Sequence, residues 1–322
     1  MTFSEKTLEL RKAIKDKLRP LITGNYVLLG LPYHTNIGDS LIWMGAETFF
    51  KTTSRKCLYS ASVFSYNPKR KIPENALILI NGGGSFGDIW RHNTKFWLQL
   101  VRQYPDNKII ILPQSIFYKN ENLLKEDVEI FSKHKRLTIC LRDETSLETA
   151  NRYFPSVEKL LVPDMAFYLD MTKWKKHVKP ASDKVLFLKR QDAEIKQNQN
   201  YDSVPAHAET HDWPTMEKTP FSLDLYHKYS WVLPAVDKTL STHFNNKISD
   251  MVYKYIFREK FIRDGVSFLS SYSYIYTTRL HGAILSILLE KPFTWFDNSY
   301  GKSSAFYDTW LSDVDDITFI RK

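Results

Sequence analysis

The chain has 322 residues, 43% of them hydrophobic and 14% aromatic, with a formal charge of +9 and a pI of about 9.2. That length leaves room for two domains, since single cores stop growing near ~250 residues, and that composition excludes a disordered tail or a fibre. The basic balance suits anionic partners: phosphorylated substrates, a membrane surface or nucleic acid.

Taken in chain order, a basic helix is predicted over about 5–21, with Leu10, Ile14, Leu18 and Leu21 spaced to pack on a core. Short apolar strands then alternate with helical patterns. A strand at 25–32 and a helix at 39–50 are followed by strands in "CLYSAS" and "NALILINGGG" and by the helix "NTKFWLQLVRQY". The strand "NKIIILPQS", a helix near 122–134, the strand "LTICLRD", the helix "ETSLETANRYF" and the segment "KLLVPDMAF" complete this half. Near-continuous Ile/Leu/Val strands between helices indicate a parallel sheet covered on both faces.

The polar stretch 170–183, with Pro180, reads as a domain linker. Beyond it come the strand "KVLFLKR" and about thirty polar residues at 191–219, a length expected of a functional or mobile loop. "YSWVLP", a helical region near 237–263, the strand-like "FLSSYSYIYTTR", a helix after His281 and "KPFTWFD" restore the alternation. The expected architecture is α/β: two doubly wound, Rossmann-like domains facing each other, residues 1–175 and 184–322. No repeat of solenoid length is present. Cys57 and Cys140 both fall in apolar strand-like runs and read as core, which argues against a disulfide framework or a zinc site. The first twenty residues lack a signal-peptide core, and no run nears ~18 apolar residues, so a cytoplasmic protein is expected.

Four strand ends carry the residues with chemical potential, where open α/β sheets bind ligands. In "PYHTNIGDSLI", Asn36 and Asp39 sit at a strand–helix turn, with Asp39 either a helix cap or a base for a substrate hydroxyl. In "ILINGGGSFGDIW", Gly83, Gly84 and Ser85 offer a close approach to a ligand or a tight packing turn. The run also fits a dinucleotide fingerprint, but the next strand ends in Pro113, Gln114 and Ser115 rather than in an acid for a ribose. In "CLRDETS", Arg142 suits a carboxylate or phosphate, with Asp143 as its ion partner or the next helix's cap. In "TTRLHGAI", Arg279 and His281 occupy the last junction, with Lys302 in "NSYGKSS" beyond it.

The set "NIGDSLI", "NGGGSFGD", "LRDETS", "VPDMAF" and "TTRLHGAI" resembles the polysaccharide pyruvyl transferase family over about residues 25–310. The resemblance implies a fold similar to GT-B glycosyltransferases. It also implies transfer of a pyruvyl group from phosphoenolpyruvate (PEP) to a sugar, such as galactose, as a cyclic ketal. PEP would be the co-substrate, with no other cofactor and no metal site; sequence does not decide a divalent-ion requirement. On the family's pattern Arg142, Arg279 and His281 would hold PEP, joined by Lys302 from the same sheet edge, with the second domain as the PEP side. Asp39 and His281 would share the acid and base roles. Asn36, Gly83, Gly84, Ser85, Gln114 and Arg190, the last in a family-like Arg-x-Asp-x-Glu, would contact substrate. A lipid-diphosphate-linked saccharide acceptor on the first domain would fit peripheral membrane contact through the opening helix and Trp174, against a plain solvated face. The rival is a nucleotide-sugar glycosyltransferase of the same architecture, for which only Glu290 is available as a ribose ligand. Nucleic-acid binding has charge alone in its favour.

Overall fold

The computed structural model describes residues 1–192, 194, 199–230, 244–299 and 301–321. Among the described residues twelve strands form two sheets in which every pairing is parallel. The first contains β1 (Tyr26–Leu31), β2 (Cys57–Ser62), β3 (Leu77–Ile80), β4 (Gly83–Gly87), β5 (Ile109–Phe117), β6 (Leu137–Leu141) and β7 (Glu158–Leu161). The second contains β8 (Val185–Leu188), β9 (Glu209–His211), β10 (Tyr274–Thr277), β11 (Phe293–Phe296) and β12 (Ile317–Ile320). The first sheet runs β2-β1-β3-β5-β6-β7, with β4 laid beside β5; the second runs β9-β8-β10-β11-β12. Both are therefore wound in the 2-1-3-4-5 sense rather than in the 3-2-1-4-5-6 order of dinucleotide-binding sheets.

The apolar strands are buried on both faces, and successive residues point to opposite sides. Val27 and Leu29 of β1 join one core with Ile78, Trp97, Ile109 and Phe131. Leu28 and Leu31 join another that reaches Leu41, Trp43, Leu186, Leu188, Ile284 and Phe306, so one apolar cluster extends from the first sheet to the second.

The flanking helices are α1 (Phe3–Leu18), α2 (Ile37–Phe50), α3 (Arg91–Gln103), α4 (Glu121–Ser132) and α5 (Glu144–Tyr153) in the first half. In the second they are α6 (Phe221–Ser230), α7 (Phe244–Val252), α8 (Arg258–Ser270), α9 (Leu280–Leu288) and α10 (Lys302–Trp310), with one π-helical stretch, Tyr253–Phe257, joining α7 to α8. Thr2 and Glu5 form a reciprocal capping box at the start of α1. The buried stripe Leu10, Ile14 and Leu18 packs this helix against α9, and the Phe3 ring stacks on Phe293 at 6.0 Å. Its basic residues are partly internal. Lys6 pairs with Asp313 at 2.8 Å, Arg11 donates to the carbonyls of Phe167 and Leu169, and Lys17 donates to that of Leu161.

Several expectations need correction. The 170–183 linker contains the 3₁₀ helix Met171–His177, and its Trp174 is 2% exposed, so that indole is packed and does not face a lipid surface. The 191–219 segment carries β9 and a helical turn at Pro214–Glu217, anchored by buried Trp213. Phe268–Ser270 close α8 rather than begin a strand, because Ile262, Val266 and Leu269 bury one helical face; β10 begins only at Tyr274. Cys57 opens an edge strand and is exposed, while Cys140 is core as expected. In "YSWVLP", Tyr229 and Ser230 end α6; residues 231–234, and the 237–243 part of the expected helix, lie outside the described residues.

Helix α2 is joined to α8 and to the π-helical stretch before it by a partly buried charge cluster. Glu47 lies 2.9 Å from Lys254 and 3.0 Å from Arg258, accepts the Trp43 indole N–H at 3.1 Å, and the Arg258 guanidinium stacks over Trp43 at 4.2 Å. Burial pushes the Glu47 carboxyl up, but the two cations outweigh it and hold it below its usual range. A carboxylate held low stabilises the fold above its unfolded-state value and loses that contribution as pH falls through the folded one. Arg258→Met, which leaves Glu47 with Lys254 alone, is expected to cost about 3 kcal/mol in urea unfolding at pH 7. The deficit should shrink on acidification toward pH 4.

Candidate active site at the strand ends

In a sheet wound 2-1-3-4-5 the chain reverses direction beside its first strand, which leaves a crevice between the carboxyl ends of the first and third strands. Here that happens twice, at β1/β3 and at β8/β10. A pocket of about 420 Å³ opens there. It is lined by Asn36 and Asp39 after β1, Gly84 and Ser85 of β4, Arg142 after β6, Arg190 after β8, Arg279 and His281 after β10, and Lys302 at the start of α10. Gly83 and Gln114 do not line it. Gln114 stands behind the glycine segment, donating to the Asn81 carbonyl at 2.9 Å and accepting the Ser85 N–H at 3.1 Å, and so fixes that segment's course. Glu290, the acid that a nucleotide-sugar enzyme would require, lies beyond the end of α9 and outside the pocket lining.

The glycine run is a strand rather than a helix-opening turn: Gly83 pairs with Gln114 and Gly87 with Phe117. The dinucleotide fingerprint thus has no helix N-terminus behind it. What the small residues provide is room for cations. A Cβ on Gly84 would collide with the Lys302 amine and crowd Arg142 Nη2, and one on Gly38 would collide with the His281 ring.

Asn36, not Asp39, caps α2: its side chain accepts the Gly38 N–H. Its amide nitrogen donates to Asp39 Oδ2 at 2.8 Å, and His34 Nε2 approaches the same oxygen at 3.5 Å. Asp39 is therefore a pocket carboxylate aimed by two neighbours. Asp143 likewise resolves as a cap, accepting the Ser146 N–H at 2.8 Å. It reaches Arg142 only through Ser115, whose hydroxyl donates to Asp143 at 2.6 Å and accepts from Arg142 Nε at 2.9 Å.

The true partner of Arg142 is Asp164, at 2.6 Å from Nη1. Asp164 is 0% exposed, and its other oxygen accepts the Ala166 N–H at 2.9 Å. His281 Nε2 lies 3.4 Å from the oxygen that takes Arg142. Burial alone would raise this carboxyl, yet His281, Arg142 and the Ala166 amide together hold it far below the usual range. Arg279 is gripped through Nε and Nη2 by both oxygens of buried Asp212, with Asp192 3.2 Å away. Arg190 pairs with Asp192 at 2.8 Å and with Glu194 at 2.8 Å. Glu194 accepts the Trp90 indole N–H at 3.1 Å and lies 3.5 Å from Lys302. Each cation is thus aimed by a carboxylate. Among the described residues Nη2 of Arg142 and Nη1 of Arg279 take no such partner, which leaves one donor nitrogen on each fork for a bound anion.

Asp164, Asp192, Asp212, Glu194, His34 and Trp90 are the site residues that sequence reasoning missed. Asp164 stood inside the "VPDMAF" motif, and Asp192 and Glu194 inside Arg-x-Asp-x-Glu, so a signal existed for those three. Asp212 sits in a polar run with no local mark. Among the described residues no group of three or more His, Cys, Asp or Glu side chains is placed to hold a metal ion.

Two doubly wound parallel sheets that bring three arginines, a lysine and a histidine, with Asp39, Asp192 and Glu194 among them, to one pocket define an α/β protein with a densely charged site at its strand ends. The chain belongs to the polysaccharide pyruvyl transferase family, whose model matches residues 36–300. It is 32% identical to the putative pyruvyl transferase EpsO of Bacillus subtilis, over 96% of this chain and 94% of that protein. It is 27% identical to pyruvyl transferase 1 of Schizosaccharomyces pombe, over 88% of this chain and 69% of that one. Its fold is similar to that of an uncharacterised protein from Klebsiella pneumoniae, with a TM-score of 0.64 at 20% identity over 97% of this chain and 99% of the other. Among the described residues no helix is long and apolar enough to cross a membrane.

The Lys302 amine is pushed down to about 8 by burial, with Arg142 and Arg190 adding to the shift and Glu194 and Asp39 opposing it. Above that value the pocket loses one positive charge. Sulfate, whose own charge is constant over this range, is expected to bind about tenfold more weakly at pH 9.5 than at pH 7 in calorimetric titration. Lys302→Met should bind it weakly at both.

Proposed function

We propose that the chain transfers the pyruvyl group of PEP to two hydroxyls of a saccharide and releases inorganic phosphate. One observation carries this reading: the convergence of Arg142, Arg190, Arg279, Lys302 and His281 on a single pocket. PEP concentrates about three negative charges on a few atoms, and such a ligand needs several donors at once.

In this reading residues 1–175 and 184–322 are two GT-B-like domains facing across that pocket. The second supplies the PEP side and the first the acceptor side. A sugar hydroxyl attacks C2 of PEP as its proton passes to Asp39, and the methylene carbon takes a proton to become a methyl group. The C2–O bond to phosphate then breaks, and a second hydroxyl closes the ketal as its proton is lost. His281, oriented by Asp164, either supplies the methylene proton or holds the phosphate; its place beside the Arg142 anchor serves both roles. The acceptor is a hexose such as galactose in a polysaccharide precursor or a lipid-diphosphate-linked oligosaccharide, with any membrane contact peripheral and no nucleic-acid partner.

Calorimetry with PEP, a nucleotide-sugar and a nicotinamide dinucleotide separates the alternatives. Saturable binding of PEP alone is expected, weakened at least tenfold in Arg279→Lys, which keeps the charge but loses the fork. Binding of the nucleotide-sugar instead would overturn the proposal. His281→Asn and Asp39→Asn should each lower turnover by about 10²–10⁴-fold while circular dichroism stays unchanged.

A further inference from the structure

The mouth of the pocket carries a feature that anion binding does not use. Phe64 is 83% exposed, an arrangement that folding alone disfavours for a phenyl ring. Single exposed apolar residues are common on proteins. This one, however, lines the same pocket as Asp39 and His281. Its mount is also rigid. Phe64 sits on the turn after β2, where the hydroxyl of buried Ser62 accepts the N–H groups of Phe64 at 3.2 Å and Ser65 at 3.0 Å, while Ser65 Oγ accepts the Ser62 N–H at 2.9 Å.

A second flat ring stands beside it. His92, in the first turn of α3, also lines the pocket, with its ring plane 22° from that of Phe64 and centroids 6.2 Å apart. Burial, with a smaller push from His34, moves the His92 imidazole below its usual value, which favours the neutral ring. Both rings belong to the half that carries Asp39. Asn93 completes this wall with an amide that can bond hydroxyls.

We propose that Phe64 and His92 form the acceptor subsite, a platform for the apolar face of a hexopyranose ring. The inference rests on the pyruvyl-transfer reading and names where its sugar binds. The C–H groups on one face of a pyranose are weakly electropositive and match the electron-rich face of an aromatic ring. The galactose of the proposed function suits such a platform. Its axial O4 leaves the C–H groups at positions 3, 4 and 5 together on the opposite face. With that face on Phe64, O4 and O6 are left for the pocket interior, where Asp39 lies.

The test uses methyl β-D-galactopyranoside and methyl β-D-glucopyranoside as probes of the full chain by saturation-transfer NMR, alongside PEP titration of the same samples. In wild type, saturation should concentrate on H3, H4 and H5 of the galactoside. In Phe64→Ala the signal should fall and the galactoside dissociation constant should rise about tenfold, with the PEP constant unchanged and Phe64→Trp restoring binding. In PEP-dependent turnover the loss should appear in the acceptor KM and not in kcat. Galactoside binding that is equal in wild type and Phe64→Ala, or undetectable in wild type, overturns the platform even where PEP binds. Platform binding without any PEP binding would instead overturn the pyruvyl-transfer reading and leave the sugar site standing.

Discussion

A single buried carboxylate organises the centre of this molecule. Asp164 follows β7, receives Arg142 from the end of β6, and lies against His281 from the start of α9. An ionised group without solvent is tolerable only when its partners are in place. The guanidinium, the imidazole and the Ala166 amide are therefore not free to settle separately. One residue thus sets the position of a cation from the first sheet and of a histidine from the second. Asp212 does the same for Arg279 within the second half.

The repeated winding explains why the site lies where it does. Each sheet has its crevice where the chain reverses; the first contributes Asn36, Asp39 and Arg142, the second Arg190, Asp192, Glu194, Arg279, His281 and Lys302. Only the two sets of loops together line one pocket. Arg190 and Glu194 show the join: the pair follows β8, yet Glu194 is held by the indole of Trp90, at the head of α3 on the first sheet.

Much of this was readable from the chain. Alternating Ile/Leu/Val strands and helical patterns were enough for the parallel α/β class, because both-face burial leaves a plain composition signal. Strand-end placement marks Asn36, Asp39, Gly84, Ser85, Arg142, Arg279, His281 and Lys302, the family-like Arg-x-Asp-x-Glu adds Arg190, and the structure gathers them around one pocket. The anchoring acids were harder. Asp212 and Arg279 are 67 residues apart, and nothing local marks an aspartate in a polar run as the buried end of an ion pair. The strand expected over 268–279 begins only at Tyr274, because the 3.6-residue stripe that closes α8 outweighs the strand-forming residues before it. Trp174 looked like a surface anchor since its neighbours are lysines. In the fold those lysines surround a 3₁₀ turn whose one indole points inward.

The docking of α1 on α9 and Phe293 has a bearing on how the chain comes together in time. That helix is made roughly 270 residues before α9, the second-half surface on which its apolar stripe packs. At ~5–20 residues per second of synthesis, an apolar stripe would wait on the order of ten to sixty seconds for its cover. The first sheet can meanwhile close around β1, β3 and β5. The opening helix can lie on Met165–Tyr168 once the first half is complete, but its seat against α9 and Phe293 waits for the second sheet.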